Sequence, residues 1–450
     1  MSKISLQNDS RVAVIGGGPA GSLCAVFIQK YARDAGIDIS TTIFDGKDFL
    51  QKGPRGCNLC AGVISNSLHA KLNSEGIGLP EGRIIKRVRG YRLHLNGRAL
   101  SLSPPPSEND SIATVFRGNG PRFSAFPEVI SFDDFLLTFA QDYGAAVVYE
   151  PIKEIQAPAD PAQPLILTFG SRRQPKTFTA DLVVGAFGLN TRLTRNITAM
   201  GFGYRPPATL KTFQAEFKLD AAAIDRNFGD SIHVFMPRRS RIRFATVIPK
   251  GDFVTVTLIG KKEADREFLK EFLALPEVPE ALSKAPACCF CYPKIAVSPA
   301  HNPFTHRLVM VGDASFSRHY KNGIESAFVT ARLAAAAAVK FGIDAESLRT
   351  HFYRPAREAI IKDNFYGRLL FFLNDIILAA PLVRRLHIRL AENETRASHP
   401  HSIRFILWQM FTGNISYKKI FQAVFSIRLQ VSLLSTTIKL IFLKFRRKPN

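Results

Sequence analysis

Acidic residues are scarce in this chain. Only 37 Asp and Glu stand against 60 Lys and Arg in 450 residues, a formal net charge of +23. A sequence pI near 10.0 follows. Such an excess attracts polyanions: nucleic acid, anionic lipid or phosphorylated small molecules. The shortage deepens toward the C-terminus, where only Asp375, Glu392 and Glu394 come after Tyr366. Cysteine is rare as well, and six thiols in a chain this long do not make a disulfide scaffold. There is no internal repeat and no extended low-complexity tract. There is no secretory signal at the start, since Met1 to Ser10 is polar and leads straight into a strand pattern; a cytoplasmic protein is expected. Long uninterrupted apolar runs are missing too. Ile420 to Phe445 is broken by Arg428 and Lys439, short of the ~18 or more apolar residues of a spanning helix.

What is present is a globular chain, 46% hydrophobic, long enough for two or three subdomains. Its organising stretch is RVAVIGGGPAG, Arg11 to Gly21. Val12 to Ile15 reads as a buried parallel strand. Gly16, Gly18 and Gly21 then fall in the spacing G-x-G-x-x-G, ahead of an apolar helix over Ser22 to Tyr31. The first glycine permits the tight turn, the second a close backbone approach to a pyrophosphate, and the third helix–strand packing. The helix N-terminus offers free N–H groups to the phosphates. Ile39 to Phe44 is the next strand, and Asp45 closes it where an acid accepts hydrogen bonds from an adenosine ribose.

Cys57 and Cys60 follow in a Gly-rich loop as C-x-x-C. Three readings stand: a small-residue loop that lets a cofactor pass, a thiol or dithiol beside a redox cofactor, or a metal site. Cys288, Cys289 and Cys291 could add ligands, but C-C-x-C matches no standard zinc or iron–sulfur run. Strands are expected over Ile84 to Leu102, with Asn96-Gly97 as a hairpin turn. Arg117 to Arg122 (RGNGPR) is a basic turn, and Ser131 caps a helix. Ala180 to Asn190 is a buried strand running into a Gly-containing turn. Phe213–Leu219, Ile232–Met236, Ile242–Ile248 and Phe253–Ile259 predict an antiparallel sheet inserted into the nucleotide domain. Arg307 to Asp313 is a third apolar strand ending in Gly312-Asp313. Asn322-Gly323 then opens an Ala-rich helix to Lys340, whose N-terminus is placed to stabilise charge on a ring.

With these stretches in hand, the chain resembles the FAD-dependent oxidoreductases of the aromatic-hydroxylase type, most of all their geranylgeranyl reductase branch, over roughly Arg11 to Lys340. The resemblance implies an α/β fold: a Rossmann-type FAD-binding domain with an inserted antiparallel β-sheet substrate domain and a C-terminal helical region. Residues 1–80, 126–200 and 296–345 would form the FAD domain, 81–125 and 201–295 the substrate domain, and 346–450 the basic helical region. It implies that Gly16, Gly18, Ala20, Gly21 and Asp45 bind the ADP half of FAD. Gly312 and Asp313 would hold the ribityl and pyrophosphate, Gly323 and Ile324 the pyrimidine edge, and Gly188 would match the middle motif. Phe187 stands where the family usually has Asp. The family's Arg ahead of the Ser131 helix is absent at that place, and Arg122 is the nearest substitute. With one dinucleotide fingerprint, NAD(P)H would visit only transiently as electron donor; ferredoxin or a quinol is equally compatible.

Beyond Ala345 apolar faces alternate with Lys and Arg. This pattern predicts helices lying on an anionic membrane surface, with a plain helical cap and a spanning helix as alternatives. No nucleic-acid motif accompanies the charge, and nucleic acid is not an expected partner. The leading expectation is a flavoenzyme reducing double bonds of an isoprenoid-like or other lipidic substrate. An FAD-dependent monooxygenase and an electron-shuttling flavoprotein are the alternatives. His319 and Tyr320 are the candidate proton donors, and Cys57 and Cys60 are candidates to face flavin or substrate.

Overall fold

Val12 to Ile15 can be wholly apolar because parallel strands flank them on both sides, leaving only Arg11 exposed in that strand. In the computed structural model the described residues are 3–58, 61–95, 97–105, 112–189, 192–238, 240–320, 322–394 and 402–446. The chain opens with β1 (Ser10–Ile15), α1 (Pro19–Asp34) and β2 (Ile39–Phe44). It then makes β3 (Gly90–Leu95) and β4 (Arg98–Leu102), followed by α2 (Phe132–Asp142), β5 (Ala146–Val148) and β6 (Leu182–Gly185). Next come β7 (Phe213–Lys218), β8 (Ser231–Phe235), β9 (Ile242–Lys250), β10 (Phe253–Gly260) and β11 (Ala287–Cys291). The chain returns through β12 (Phe304–Thr305), β13 (Leu308–Met310) and α3 (Gly323–Lys340).

Two large sheets result. The first has the order β12-β13-β6-β1-β2-β5 and is parallel except for β12. Helices α1 and α3 pack together against it, with Phe27 and Phe328 edge to face. The second has the order β11-β7-β10-β9-β8-β3-β4. It is antiparallel except for one pair: β8 runs parallel to β3, because β3 enters from a distant part of the chain and is free to take either direction. The hairpin expected at Asn96-Gly97 joins β3 to β4, although Asn96 lies outside the described residues.

The C-terminal region folds as α4 (Asp363–Ala379), α5 (Pro381–Asn393), α6 (Ile403–Thr412), α7 (Tyr417–Val424) and α8 (Ile427–Arg446). Pro381 begins α5, where its missing N–H costs nothing. Gly413, at φ 69°, ends α6. The apolar stretch Ile420 to Phe445 is two helices rather than one. Ser426 accepts from the Leu429 N–H at 3.4 Å and so starts α8 afresh. These helices pack on the second sheet, burying Trp408 and Tyr417 beside Tyr91, Leu93 and Val234. Among the described residues no helix is long and apolar enough to cross a membrane.

Candidate functional site

A cavity of about 970 Å³ joins the two sheets. One end is built from the glycine turn. Gly16 has φ +107°, and a Cβ there would meet the Ala186 carbonyl oxygen at 2.6 Å. A Cβ on Gly21 would lie 1.8 Å from the Gly16 oxygen. Gly18 is the N-cap of α1 with no side-chain acceptor, Pro19 has no N–H, and the Gly21 N–H donates to the Gly18 carbonyl at 3.0 Å, which leaves the Ala20 N–H at the start of α1 for an anion. Asp45 accepts from the Gly17 N–H at 2.6 Å and the Lys47 N–H at 2.9 Å. Burial pushes its carboxyl up, and those two N–H groups oppose the rise.

The opposite wall is the Gly312-Asp313 corner. Gly312 has φ +62°, and a Cβ there would strike the Ala20 methyl at 2.7 Å. Asp313 accepts from the Ser317 hydroxyl. Burial raises its carboxyl, while the Ser317 hydrogen bond and the Arg117 charge hold it down. Gly323 faces Asp313, with the Asp313 oxygens within 4.0 Å of its Cβ position. Ile324 is buried beside it at the start of α3. Gly188 has φ +62° and open space around its Cβ position. Phe187, the residue in place of the family's Asp, packs its ring on Gly185 and lines the cavity.

The arginine expectation needs correction. Arg122 is exposed, with its aliphatic stem lying over Gly53, and it does not line the cavity. Arg117 does. Its guanidinium grips the Asp133 carboxylate at two points, and Asn58 Nδ2 donates to the same carboxylate. Ser131 Oγ donates to the Arg117 carbonyl at 3.1 Å, so the arginine is tied to the first turn of α2. Lys47 joins this wall by donating to the Cys57 carbonyl and to Asn58 Oδ1. Arg117 was visible at the head of the RGNGPR turn; Lys47 and Asn58 carried no sequence signal of their own.

The four residues expected near the reacting centre separate. Tyr320, at φ +61°, lines the cavity, and its phenol oxygen accepts from Arg243 at 2.9 Å. Arg243 is itself ion-paired with Asp375 on α4. His319 does not line the cavity: its ring lies behind that of Tyr320, 4.1 Å between centroids, and borders a small pocket beside Asn364 and Arg368. Burial lowers its pKa to about 4, and its backbone is held by Asn364 and Tyr417. Cys57 does not line the cavity. Its thiol lies in the electrostatic field of Cys289 and Cys291 on β11, and burial pushes Cys289 up to about 11. Cys60 lies outside the described residues. Among the described residues no three metal-ligating groups converge.

Beyond Tyr320 the cavity becomes a tunnel across one face of the second sheet, from Gln214 on β7 to Leu100 on β4. Five strand spacings separate β7 from β4, about 24 Å at ~4.8 Å each. The floor is polar near β7 and β10, with Thr212, Gln214 and Thr257, and apolar toward β4. The Thr257 hydroxyl is buried with no hydrogen-bond partner among the described residues. Helices α4, α5 and α6 form the roof.

No protein-family model matches the chain. In sequence it is similar to the geranylgeranyl diphosphate reductase of Synechocystis, 27% identical over 200 residues, 43% of this chain and 42% of that protein. It is 27% identical over 202 residues to the chloroplastic geranylgeranyl diphosphate reductase of Arabidopsis thaliana, 43% of this chain and 37% of that protein. The matched part is therefore less than half the length of these relatives. In fold it is similar to a geranylgeranyl bacteriochlorophyll reductase-like protein of Thermoplasma acidophilum, with TM-score 0.65, 17% identity, and 93% and 96% of the two chains covered. A flavin-dependent brominase aligns with TM-score 0.60, 13% identity, and 97% and 100% coverage. The fold is thus that of the flavin-dependent oxidoreductases, as the sequence led one to expect.

Proposed function

We propose that this protein is an FAD-dependent oxidoreductase of the geranylgeranyl reductase-like branch. In this reading it reduces carbon–carbon double bonds of an isoprenoid-like or other lipidic substrate at a membrane surface. The observation that carries the reading is one cavity that joins a dinucleotide cradle to a long apolar tunnel.

The cradle suits FAD on steric grounds. Side chains at positions 16, 21 and 312 would collide with the Ala186 carbonyl, the Gly16 carbonyl and the Ala20 methyl, so glycine at all three lets the turn and the Gly312 corner close around the cradle, and Gly16, Gly18, Ala20 and Gly312 line the cavity. Gly16, Gly18, Ala20, Gly21 and Asp45 would hold the ADP half, with Gly312, Asp313, Gly323 and Ile324 on the far side. Bound FAD supplies hydride chemistry. The protein supplies the rest. The apolar tunnel excludes water and holds a hydrocarbon chain. Tyr320 places a phenol O–H on the tunnel wall to deliver the proton. Arg243 stabilises the oxygen that loses it, because a guanidinium can only donate to that oxygen.

Peripheral membrane contact is supported by the exposed faces of the C-terminal helices. Phe372, Ile376 and Leu382 on α4 and α5, and Ile427, Val431 and Leu434 on α8, are all exposed. No acid occurs after Glu394. Apolar groups flanked by uncompensated Lys and Arg suit an anionic lipid interface. NAD(P)H is proposed only as a transient donor, since the chain carries one dinucleotide fingerprint.

The test is to incubate the purified yellow protein anaerobically with dithionite and geranylgeraniol. Products gaining H2 per reduced bond support the reading. An oxygenated product formed only with NADPH and air would replace it by the monooxygenase reading. A colourless protein that cannot be reconstituted with FAD would end both.

A further inference from the structure

The tunnel floor changes character along a single cross-strand row. Gln214 on β7 stands opposite Thr257 on β10, and Thr257 opposite Thr246 on β9. The row continues through Val234 on β8 and Leu93 on β3 to Leu100 on β4. All six line the cavity, because residues directly opposite across strands present their side chains to one face. The first three are polar and the last three aliphatic. The polar part spans two strand spacings, about 10 Å at ~4.8 Å each. Every side chain that the strands of this sheet contribute to the cavity is uncharged.

The polar part lies at the cradle end. Phe244, two residues before Thr246 on β9, meets the Tyr320 ring edge to face at 6.5 Å. Phe371 on α4 meets the same ring at 5.1 Å. Asn374, one turn further along α4, lines the cavity too, and its neighbour Asp375 pairs with Arg243. This part of α4 therefore roofs the polar floor. The Thr257 hydroxyl is buried and makes no hydrogen bond among the described residues. Such a hydroxyl is destabilising until a partner reaches it. Rotation about its Cα–Cβ bond exchanges hydroxyl and methyl, which brings the O–H to a ligand oxygen above the floor.

We propose that Gln214, Thr257 and Thr246 bind an uncharged, carbonyl-bearing head of the lipidic substrate. The head lies at the cradle end beside Tyr320, and the tail runs outward over Val234, Leu93 and Leu100. Amide and hydroxyl groups donate to a carbonyl oxygen, and this floor holds no cation to pair with an anionic head. The proposal rests on the lipidic-substrate reading above. It adds the chemistry of the head and which end of the lipid meets the cradle. Double bonds in the head, or next to it, are the ones that reach the cradle.

The test uses the full-length protein with its flavin retained. Methyl undecyl ketone and methyl pentyl ketone, isotopically labelled at the carbonyl carbon, are titrated and followed by NMR. A hydrogen bond to the oxygen moves that carbon downfield of its position in hexane. The undecyl ketone should show this shift when bound to the wild type. T257V should lose much of the shift and bind roughly three- to tenfold more weakly, the scale of one hydrogen bond. It replaces an unpaired hydroxyl by a methyl of similar size and should melt no lower than the wild type. L100F narrows the tail end and should weaken the undecyl ketone while sparing the pentyl one; L93F serves if L100F melts early. No binding of the undecyl ketone, an unshifted carbonyl carbon, or T257V indistinguishable from the wild type overturns the proposal. Equal weakening of both ketones in L100F places the head at β4 and overturns it as well. Reduction of geranylgeraniol beside an unshifted ketone would overturn the head site alone. A shifted ketone in a protein that reduces no double bond would count against the reductase reading alone.

Discussion

Arg117 and Asp133 form a two-pronged ion pair with 8% and 0% of their side chains exposed. The pair links the turn before α2 to the cavity wall. A buried pair adds little net stability over an apolar one, but removing one partner leaves a stranded charge at a cost of about 3–5 kcal/mol. R117A should therefore lose about that much unfolding free energy in urea titrations. R117M/D133L should recover most of it. Equal losses in the single and double variants would contradict this account.

The glycine turn predicts a graded series. G21A places a methyl 1.8 Å from the Gly16 oxygen and should abolish retained flavin absorbance. G18A meets only the Asn58 amide at 3.1 Å, a side chain able to shift. That variant should fold and melt near the wild type, with flavin washed out more readily on dialysis.

Tyr320 and His319 lie ring against ring at 4.1 Å, yet only Tyr320 lines the cavity. Y320F should lower double-bond reduction by roughly a hundredfold, the scale of a lost general acid, without changing flavin content. H319Q should stay within a few-fold of wild type. Product yield per flavin, measured by mass spectrometry, separates the two.

A pH effect follows from a pair outside the cavity. His94 Nε2 lies 3.1 Å from His233 Nδ1, on the face of β3 and β8 opposite the tunnel. Burial lowers His94 to about 4 and His233 to about 3, from an ordinary 6.5. The folded state thus refuses protons that the unfolded chain accepts. Stability from the pair is complete above pH 6.5 and is lost as pH falls toward 3. Buried Asp45, Glu216 and Asp313 shift upward and act in the opposite sense, so the difference between proteins is the readout. H94Q/H233Q should lose less melting temperature than the wild type between pH 6.5 and 4.

The glycine turn and the inserted strands could be read from the chain because their signals are local. Gly21 sits where any side chain collides with the Gly16 carbonyl of the turn itself, and Gly16, at φ +107°, holds a backbone conformation that favours glycine. The strands from Phe213 to Gly260 advertise themselves by apolar residues and turn punctuation, and the observed ends differ from the expected ones by a residue or two. Arg117 and Arg122 show the limit. Both lie in the same basic turn, and only the path of the chain past Gly53 and α2 decides which one is buried. The C-terminal helices show it again. Their basic and apolar alternation suggested a lipid-facing surface, yet the inner faces of α4, α5 and α6 roof the tunnel.

The sequence by itself determined a dinucleotide-binding α/β unit with an inserted sheet. Turn geometry, strand burial and helix capping act between residues close together in the chain, and so leave a readable pattern. Tertiary structure alone decided that Tyr320 meets Arg243, that Arg117 meets Asp133, and that Thr257 lies on a tunnel floor. Those meetings join segments separated by up to hundreds of residues, and no local spacing records which faces will pack.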